Sequence, residues 1–262
     1  MANDYFSFKQ FTIWQDQCAM KVSTDACLFG AWVSSFIQQQ ITTPISHADG
    51  LCRMADVGTG TGLLSLMIHQ KNPYCSTEAL EIDPQAAEQA RQNILKAGAS
   101  EQLKVIRADA TTFLPASPYH IIVSNPPFYQ DDLKANAPKR NWAFHDDTLT
   151  LAQLLSFITR HLHSHGYFFL LLPTRREPAA TEMMHLAALS IVEKISVKST
   201  PEHPPHRLLL AGRRKESSSH PRELRANGIS EPTHVKEICM TNPNGSYSSR
   251  FTELMKDYYL TL

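Results

Sequence analysis

A short motif with the residue types for amine chemistry stands near the middle of the chain. The tetrapeptide NPPF, Asn125 to Phe128, directly follows the apolar run HIIVS. Proline fixes φ and lacks an N–H donor, so Pro126 and Pro127 end the predicted strand and stiffen its exit. The Asn125 side-chain oxygen and the Pro126 carbonyl are acceptors suited to both protons of a planar amine, and the Phe128 ring offers a stacking face. The simpler alternative is a strand-ending turn.

A glycine-rich loop precedes this motif. The stretch DVGTGTGLLSL begins at Asp56, and Gly58, Gly60 and Gly62 permit a tight turn and a close approach to a ligand. A dinucleotide-binding loop would need glycine where Leu63 stands, and a P-loop would need a lysine that is not present. The loop therefore predicts a different ligand, and an acid at its start suits a cation better than a pyrophosphate.

Acidic residues also follow the next two predicted strands. Glu81 is the last residue in phase with its strand, where a carboxylate can accept both hydroxyls of a ribose. Asp83 is better placed to cap the next helix, and Asp109 follows the third strand. One such acid alone is typical of a solvated strand end. Acids after three successive strands, together with the glycine loop, indicate a nucleoside site.

The elements that must position these residues alternate between strand and helix from about residue 51 to residue 212. The strand patterns LCRMADVG, STEALEI, LKVIRA, HIIVS and YFFLLLP are too uniformly apolar to have a wet face. This is typical of a parallel sheet covered on both sides, and the alternation predicts a doubly wound α/β fold. The later stretches LSIVEKISVKST and HRLLLAGRR are predicted to be a terminal pair of strands.

Composition narrows the class of protein. The five cysteines are scattered without C-x-x-C spacing, which favours free thiols in a reducing compartment over disulfides or a zinc site. No apolar run approaches the roughly 18 residues of a spanning helix, and residues 1–14 lack a signal-peptide pattern. Residues 1–150 carry 11 basic and 15 acidic residues and the remainder 14 and 10, so charge alone does not reveal a partner. We expect a cytoplasmic monomer with no membrane association and no metal.

Both motifs resemble those of known methyltransferases. Asp-x-Gly-x-Gly-x-Gly resembles motif I of class I S-adenosylmethionine (AdoMet)-dependent methyltransferases, and NPPF resembles motif IV of the amino methyltransferases. The resemblance implies a Rossmann-like α/β fold with a mostly parallel seven-stranded sheet, helices on both faces and an antiparallel edge strand. It implies direct methyl transfer from AdoMet, with S-adenosylhomocysteine as product. The implied catalytic residues are Asn125, Pro126, Pro127 and Phe128, and the implied cofactor-binding residues are Asp56, Gly58, Thr59, Gly60, Gly62, Glu81, Asp83, Asp109 and Asn125.

Motif IV alone leaves the acceptor amine open between adenine N6 in DNA or RNA and the glutamine amide (N5) of release factors. DNA adenine enzymes usually add a target-recognition domain, for which residues 215–262 are too few. Release-factor enzymes carry an N-terminal helical bundle that the first 40 residues do not resemble. A non-catalytic AdoMet- or RNA-binding module is a further alternative, but it has no need of the polarising acceptors.

Segments along nearly the whole chain resemble the bacterial tRNA1(Val) (adenine-37-N6) methyltransferase family. They are FKQFTIWQDQCAMKVSTDACLFGAW, DVGTGTGLLSLM, ALEIDPQA, VSNPPFY, PPHRLLL and YSSRFTELMKDYYL. The resemblance implies a tRNA substrate methylated on N6 of adenine 37 in the anticodon loop. In that family the Lys-Val-x-Thr-Asp segment packs over the methionine end of the cofactor, which implicates Lys21, Thr24 and Asp25. Thr24 or Asp25 could also cap a short helix.

Two basic segments are candidates for RNA contact. In APKRNWAFHDD, basic residues alternate with aromatic ones, which suits phosphate contact and base stacking. The residues in question are Lys139, Arg140, Trp142 and His145, and a plain connection is the alternative. The run from Arg213 to Lys215 is a second candidate patch.

We divide the chain into an N-terminal appendage covering the cofactor site (1–40) and a methyltransferase domain (41–262), in which residues 215–262 form a C-terminal extension.

Overall fold

The computed structural model of the 262-residue chain describes residues 3–18, 20–40, 52–126, 149–215 and 235–262. The strands are β1 (Tyr5–Ser7), β2 (Thr12–Trp14), β3 (Cys52–Val57), β4 (Cys75–Glu81), β5 (Leu103–Arg107), β6 (Tyr119–Ser124), β7 (Leu162–Pro173), β8 (Leu189–Lys198), β9 (Arg207–Arg214) and β10 (Val235–Cys239). The helices are α1 (Thr24–Gln40), α2 (Leu63–Lys71), α3 (Pro84–Lys96), α4 (Leu151–His161), α5 (Glu177–Leu186) and α6 (Ser249–Met255), and a 3₁₀ turn (Thr174–Arg176) follows β7.

The main sheet has eight strands in the order β10-β8-β9-β7-β6-β3-β4-β5. Within it, β9 runs antiparallel to both of its neighbours, and the other seven strands are parallel. From β3 the chain first builds outward through β4 and β5, then returns to place β6 and β7 on the other side. Ligands of open α/β sheets bind beyond the carboxyl ends of the strands at such a reversal.

The predicted α/β, mostly parallel fold is confirmed, but two details of the predicted sheet are wrong. The described residues form eight strands rather than seven, and the antiparallel strand lies inside the sheet rather than at its edge. Residues 208–211 of β9 are buried on both faces, so they require covering layers as well as a paired strand on each side. The edge strands are β5 and β10, and the sequence of β10, VKEIC, is too polar to predict a strand.

Two apolar layers cover the sheet. Phe168, Leu170 and Leu172 of β7 join a cluster with α4 and α5. Phe169 and Leu171 point to the opposite face and join the cluster that contains α1, α2 and α6. Because successive side chains of a strand face opposite sides, a strand buried on both faces is apolar throughout.

Helix α1 differs from the predicted short helix. It has 17 residues, most of them buried, and packs against α2 and α6. Neither Thr24 nor Asp25 caps it. The Ser23 hydroxyl accepts the N–H of Ala26 at 3.3 Å, because Ser23 is the last residue before the helix and its side chain can reach back to the first turn.

Residues near both ends of the chain pack together on the face of the sheet that α1, α2 and α6 cover. The ring of Phe8, in the turn between β1 and β2, packs on Phe11 (centroids 4.7 Å apart) and on Tyr259 (6.1 Å). The N–H of Lys9 donates to the Tyr258 carbonyl at 2.8 Å. The first strand pair and the residues after α6 are therefore packed as one unit against the core.

Candidate active site

The glycine loop joins β3 to α2 in a conformation that requires glycine. Gly58, Gly60 and Gly62 have φ angles of 72°, 56° and 82°, in the left-handed region that a Cβ atom disfavours. The N–H groups of Gly58 and Thr59 both donate to the carbonyl of Leu80, at 2.9 and 3.0 Å. The loop is thus held against the carboxyl end of β4.

Asp56 lies fully buried beneath this loop. Its Oδ2 accepts from the hydroxyls of Thr59 (2.6 Å) and Ser65 (2.7 Å) and from the Ser65 N–H (3.2 Å). Burial raises the pKa of the Asp56 carboxyl to about 6, although these hydrogen bonds oppose the shift. Its Oδ1 is buried and has no hydrogen-bond partner among the described residues, so it suits a ligand that donates hydrogen bonds or carries positive charge.

Glu81, the last residue of β4, is held in place by backbone donors. Its Oε2 accepts from the N–H of Gly60 (2.9 Å), and its Oε1 accepts from Ile82 (2.9 Å) and Asp83 (3.0 Å). Asp83 caps α3 by accepting from the Ala86 N–H at 2.7 Å, as the sequence predicted. The carboxylate of Glu81 therefore has a fixed direction beside the glycine loop.

A cavity of about 120 Å³ opens between the loops that follow β3, β4 and β5. Asp109 lines it, and its Oδ1 accepts from the N–H (2.8 Å) and hydroxyl (2.7 Å) of Thr111. The structure thus brings together the glycine loop and the acids predicted after the second and third strands of the alternation. The full lining is Val57, Gly58, Leu80, Glu81, Ile82, Ala108, Asp109, Ala110, Thr111, Leu149 and Gln153.

Asn125 and Pro126 leave the sheet next to this cavity. The buried Ser124, the last residue of β6, donates its hydroxyl to the Val57 carbonyl at 2.6 Å. This bond fastens the start of the tetrapeptide to the residue before the glycine loop. Asn125 is partly buried and Pro126 is buried.

The remaining residues predicted in this region, Pro127, Phe128, Lys139, Arg140, Trp142 and His145, lie outside the described residues.

The segment between β2 and α1 is held by the buried Gln15. The ammonium of Lys21 donates to the Gln15 carbonyl, and the Val22 N–H donates to its Oε1 at 2.7 Å. Thr24 lies beside the Tyr259 hydroxyl. Neither Lys21 nor Thr24 lines the cavity.

Cys18 shows how close this segment comes to the site. Burial, together with the negative charges of Glu81 and Asp83, raises the pKa of its thiol to about 11. The segment therefore passes near the carboxyl end of β4.

Asn93, a buried residue of α3, was not among the predicted functional residues. Its Nδ2 donates to the carbonyls of Trp14 (2.8 Å) and Thr61 (2.9 Å), and its Oδ1 accepts the Trp14 N–H at 3.0 Å. It thereby joins the N-terminal strand pair to the glycine loop. A signal was available, because Asn93 falls three residues after Ala90, on the apolar face of the helix pattern.

Asp25 has partners that the sequence did not predict. Its Oδ1 bonds the Nε2 of His206 at 3.1 Å, and its Oδ2 pairs with the Nε of Arg207 at 3.2 Å. The carboxylate of α1 is thus tied to the first residue of β9 and the residue before it.

The second predicted basic patch, Arg213 to Lys215, lies at the other end of β9. Because β9 is antiparallel, this patch stands at the edge of the sheet that is remote from Asn125.

Within the described ranges, no group of three or more His, Cys, Asp or Glu residues is arranged to hold a metal ion. In the same part of the chain, none of the helices combines the length and the apolar character needed to cross a membrane.

Fold and site together define a class I AdoMet-dependent methyltransferase domain. The family model of the methyltransferase small domain matches residues 36–168. Among solved structures, a protein from Agrobacterium tumefaciens described as a predicted O-methyltransferase has a TM-score of 0.60 at 14% identity, over 89% of this chain and 96% of its own. An S-adenosylmethionine-dependent methyltransferase from Clostridium acetobutylicum has a TM-score of 0.51 at 12% identity, over 72% and 92%. These similarities show the fold.

Relatives identify the family. The chain is 36% identical to a protein of Parabacteroides distasonis and 34% identical to one of Bacteroides thetaiotaomicron, in each case over the whole of both chains. It is 33% identical to a Klebsiella pneumoniae protein, over 97% of this chain and 94% of the relative. All three are named tRNA1(Val) (adenine(37)-N6)-methyltransferase. The chain belongs to this family of AdoMet-dependent methyltransferases, and the resemblance noted in the sequence is confirmed.

Proposed function

We propose that the protein transfers a methyl group from AdoMet to N6 of adenine 37 in the anticodon loop of tRNA1(Val). The observation that carries the proposal is the position of Asn125 and Pro126 at the exit of β6, tied to the glycine loop by the 2.6 Å bond from Ser124 to Val57. In this proposal the amine-polarising acceptors would stand beside the nucleoside cavity. The full-length relatives support tRNA as the substrate class.

The residues around the cavity fit AdoMet. Beneath the glycine loop, the Oδ1 of Asp56 has no partner among the described residues and suits a cationic group, and the fixed carboxylate of Glu81 at the cavity suits a ribose diol. Asp109 would accept a hydrogen bond from the adenine amino group of AdoMet. Leu80 and Ala110 would form the apolar walls of the cavity. We assign further cofactor contacts to Lys21, Thr24, Thr59, Asp83, Asn125 and the three glycines of the loop.

AdoMet supplies a methyl group on a sulfonium, which is already activated for transfer. The target adenine is a poor nucleophile, because its N6 lone pair is delocalised into the ring. The Asn125 oxygen and the Pro126 carbonyl would accept hydrogen bonds from the two N6 protons and shift electron density onto nitrogen. Transfer would form the N–C bond as the S–C bond breaks, leaving S-adenosylhomocysteine, and the proton that the methylated N6 loses would pass to solvent. The rigid Asn-Pro backbone holds both acceptors in place before the reaction.

Other parts of the proposal rest on the sequence. Phe128 would stack on the flipped base, and Lys139, Arg140, Trp142 and His145 would contact RNA. All five cysteines are free, which supports a reducing compartment, and we place the reaction in the cytoplasm. The monomeric state stays a prediction.

Nucleoside mass spectrometry tests the proposal. The protein is incubated with AdoMet and either a tRNA1(Val) transcript or the same transcript with guanine at position 37. We expect N6-methyladenosine only in the first. Equal methylation of both transcripts would contradict the target position, and methylation of a release-factor glutamine without any tRNA product would establish the alternative enzyme class.

A further inference from the structure

At the carboxyl edge of the sheet, the strand order places different strands on the two sides of Asn125. The nucleoside cavity occupies the side of β3, β4 and β5. On the other side, β7 is the immediate neighbour of β6, and β9 is the next strand. For a base to reach Asn125 from the side opposite the cavity, the RNA that carries it would pass the ends of β7 and β9.

Basic residues are concentrated at these two strand ends. Arg175 and Arg176 belong to the 3₁₀ turn after β7, while His206 and Arg207 stand at the start of β9. We call these four residues the basic edge. The hydrogen-bond ladder between β7 and β9 places these strand ends side by side, because Arg207 pairs with Pro173, the last residue of β7.

The basic edge also extends beyond the end of β6. Ser124 pairs with Leu170, and Pro173 lies three residues further along β7, which is about 10 Å. Arg207, which pairs with Pro173, therefore lies beyond the last residue of β6 along the strand direction.

The backbone of the basic edge is braced. The Thr174 hydroxyl donates to the Pro205 carbonyl at 2.8 Å, and the Thr174 N–H donates to the His206 carbonyl at 3.3 Å. The N–H of His206 donates to the carbonyl of Val197 in β8 at 2.9 Å. Two consecutive prolines, Pro204 and Pro205, precede these residues and limit their freedom further.

Asp25 gives the Arg207 guanidinium a defined direction. The carboxylate pairs with Nε, and Nη1 donates to the His206 carbonyl at 3.2 Å, while Nη2 has no partner within the described residues. The side chain of Arg207 is 35% exposed and that of Asp25 only 16%. A guanidinium held on one side and accessible on the other is pre-organised for an incoming anion.

Two acids close in sequence to the basic edge are engaged with other residues. Glu177 is paired with Lys194 at 2.5 Å, and Glu202 accepts from the Thr200 hydroxyl at 2.7 Å. Asp25 holds Arg207 on one side, so the guanidinium presents its accessible side at this edge. A phosphodiester is the ligand whose charge and oxygen geometry match such a fork.

We propose that the basic edge binds the phosphodiester backbone of the RNA substrate beside the target nucleotide, with Arg207 as its main contact and Asp25 as a positioning residue. The inference rests on the proposed function, because it supplies the RNA contact that a flipped base needs. The other end of β9, Arg213 to Arg214, is about 24 Å from Arg207 and faces away from Asn125.

The test compares Arg207→Gln with Arg91→Gln, which removes the same charge from an exposed arginine of α3 paired with Glu88. Methylation kinetics, AdoMet affinity and tRNA binding over a series of KCl concentrations are measured for each. For Arg207→Gln we expect KM for tRNA to rise about 3- to 10-fold, and the slope of log K against log salt to become shallower by about 0.7 to 0.9. kcat and AdoMet affinity should stay within about twofold, and Arg91→Gln should match the wild type.

Asp25→Asn distinguishes positioning from simple charge. It makes the protein more positive, so a purely electrostatic role predicts tighter binding of tRNA. A positioning role predicts a higher KM for tRNA with an undiminished salt slope, because Arg207 keeps its charge but loses its direction. Arg175→Gln, at an exposed position, provides the same charge test if the Arg207 variant fails to fold, and we expect a smaller rise in KM.

A wild-type KM and salt slope in the Arg207 variant, or in the Arg175 variant if it replaces the first, would overturn the inference while leaving tRNA methylation intact. A parallel loss of AdoMet affinity would also overturn it, because the pair would then serve the cofactor. Absence of tRNA methylation by the wild-type protein would instead remove the proposed function on which the inference rests.

Discussion

Asn93 and Trp14 exchange two hydrogen bonds across 79 residues of sequence, at 3.0 and 2.8 Å, and the same Asn93 amide also holds Thr61 of the glycine loop. One buried side chain therefore positions both the N-terminal strand pair and the cofactor loop. Both regions should weaken together when this amide is removed.

For Asn93→Ala we expect the free energy of unfolding to fall by about 2–4 kcal/mol, because the buried bond to the Thr61 carbonyl and two partly buried bonds to Trp14 are lost. Urea denaturation with an unchanged m-value measures the loss. Gln92→Ala on the same helix is the control. Within the described residues its side chain bonds only to the exposed Glu88, so the change should alter stability by less than about 0.5 kcal/mol. Equal effects in the two variants would contradict the anchoring role.

Glu81→Gln should weaken AdoMet binding about 10- to 100-fold. The amide replaces one carboxylate oxygen with a donor that would face a backbone N–H, either from Gly60 or from Ile82 and Asp83. Hydrogen bonds to charged groups are worth about 1.5–3 kcal/mol, which is the range of this loss. Calorimetric titration measures it. Glu88→Gln, an exposed change on α3, should leave the affinity unaltered, and wild-type affinity in the Glu81 variant would exclude a ribose contact.

Asn125→Ala should lower kcat by about 10²- to 10³-fold with AdoMet affinity retained, because a polarising acceptor is lost from the reacting amine. Single-turnover methylation of tRNA measures the step. Asn125→Asp keeps an oxygen acceptor and should lose less. An unchanged kcat in the alanine variant would remove Asn125 from the proposed mechanism.

Asp56 predicts a dependence of stability on pH. Burial raises the pKa of its carboxyl from 3.8 to about 6 in the folded chain. Above pH 6 both states are ionised, and the folded state carries a buried charge that the unfolded state hydrates. This cost is absent below about pH 4 and complete above about pH 6, and a shift of two pKa units corresponds to about 3 kcal/mol.

Asp56→Asn removes this cost and keeps an oxygen for the three hydrogen bonds. Without AdoMet we expect the variant to exceed the wild type in free energy of unfolding by about 1–2 kcal/mol at pH 8, with the difference shrinking toward pH 4. Its affinity for AdoMet should fall, because a neutral amide does not attract a cationic ligand. Urea unfolding at several pH values and calorimetry measure the two effects. A variant less stable than wild type at pH 8 would contradict the burial cost, and Asp4→Asn is the exposed control.

The strand and helix alternation was predictable because a sheet buried on both faces imposes apolar runs. The acids of the site were predictable for a related reason, since the carboxyl ends of parallel strands meet at one edge. The placement of β9 inside the sheet was not, because HRLLLAGRR has the same apolar pattern beside one strand or two. The strands that pair with β9 are determined by which strand edges the rest of the chain leaves unpaired.

The polar anchors were not predictable for a different reason. The partners of Gln15, Gln89 and Asn93 include backbone groups of other segments, which carry no sequence signal. Asp25 and His206 lie 181 residues apart, so the sequence around Asp25 predicted only a helix cap or a cofactor contact. The sequence therefore predicted that Glu81 and Asp109 meet beside the glycine loop, but not the contacts that hold the N-terminal segment near them.

The contact between Lys9 and Tyr258 has a consequence for biosynthesis. It closes a loop of about 250 residues, so it carries a large closure entropy and forms only after most of the chain has left the ribosome. Phe8 is synthesised about 250 residues before Tyr259, the aromatic partner that covers it. The nascent chain thus completes its N-terminal cover after its sheet, and a chain truncated before Tyr258 would keep the bonds between Asn93 and Trp14 but leave Phe8 without that cover.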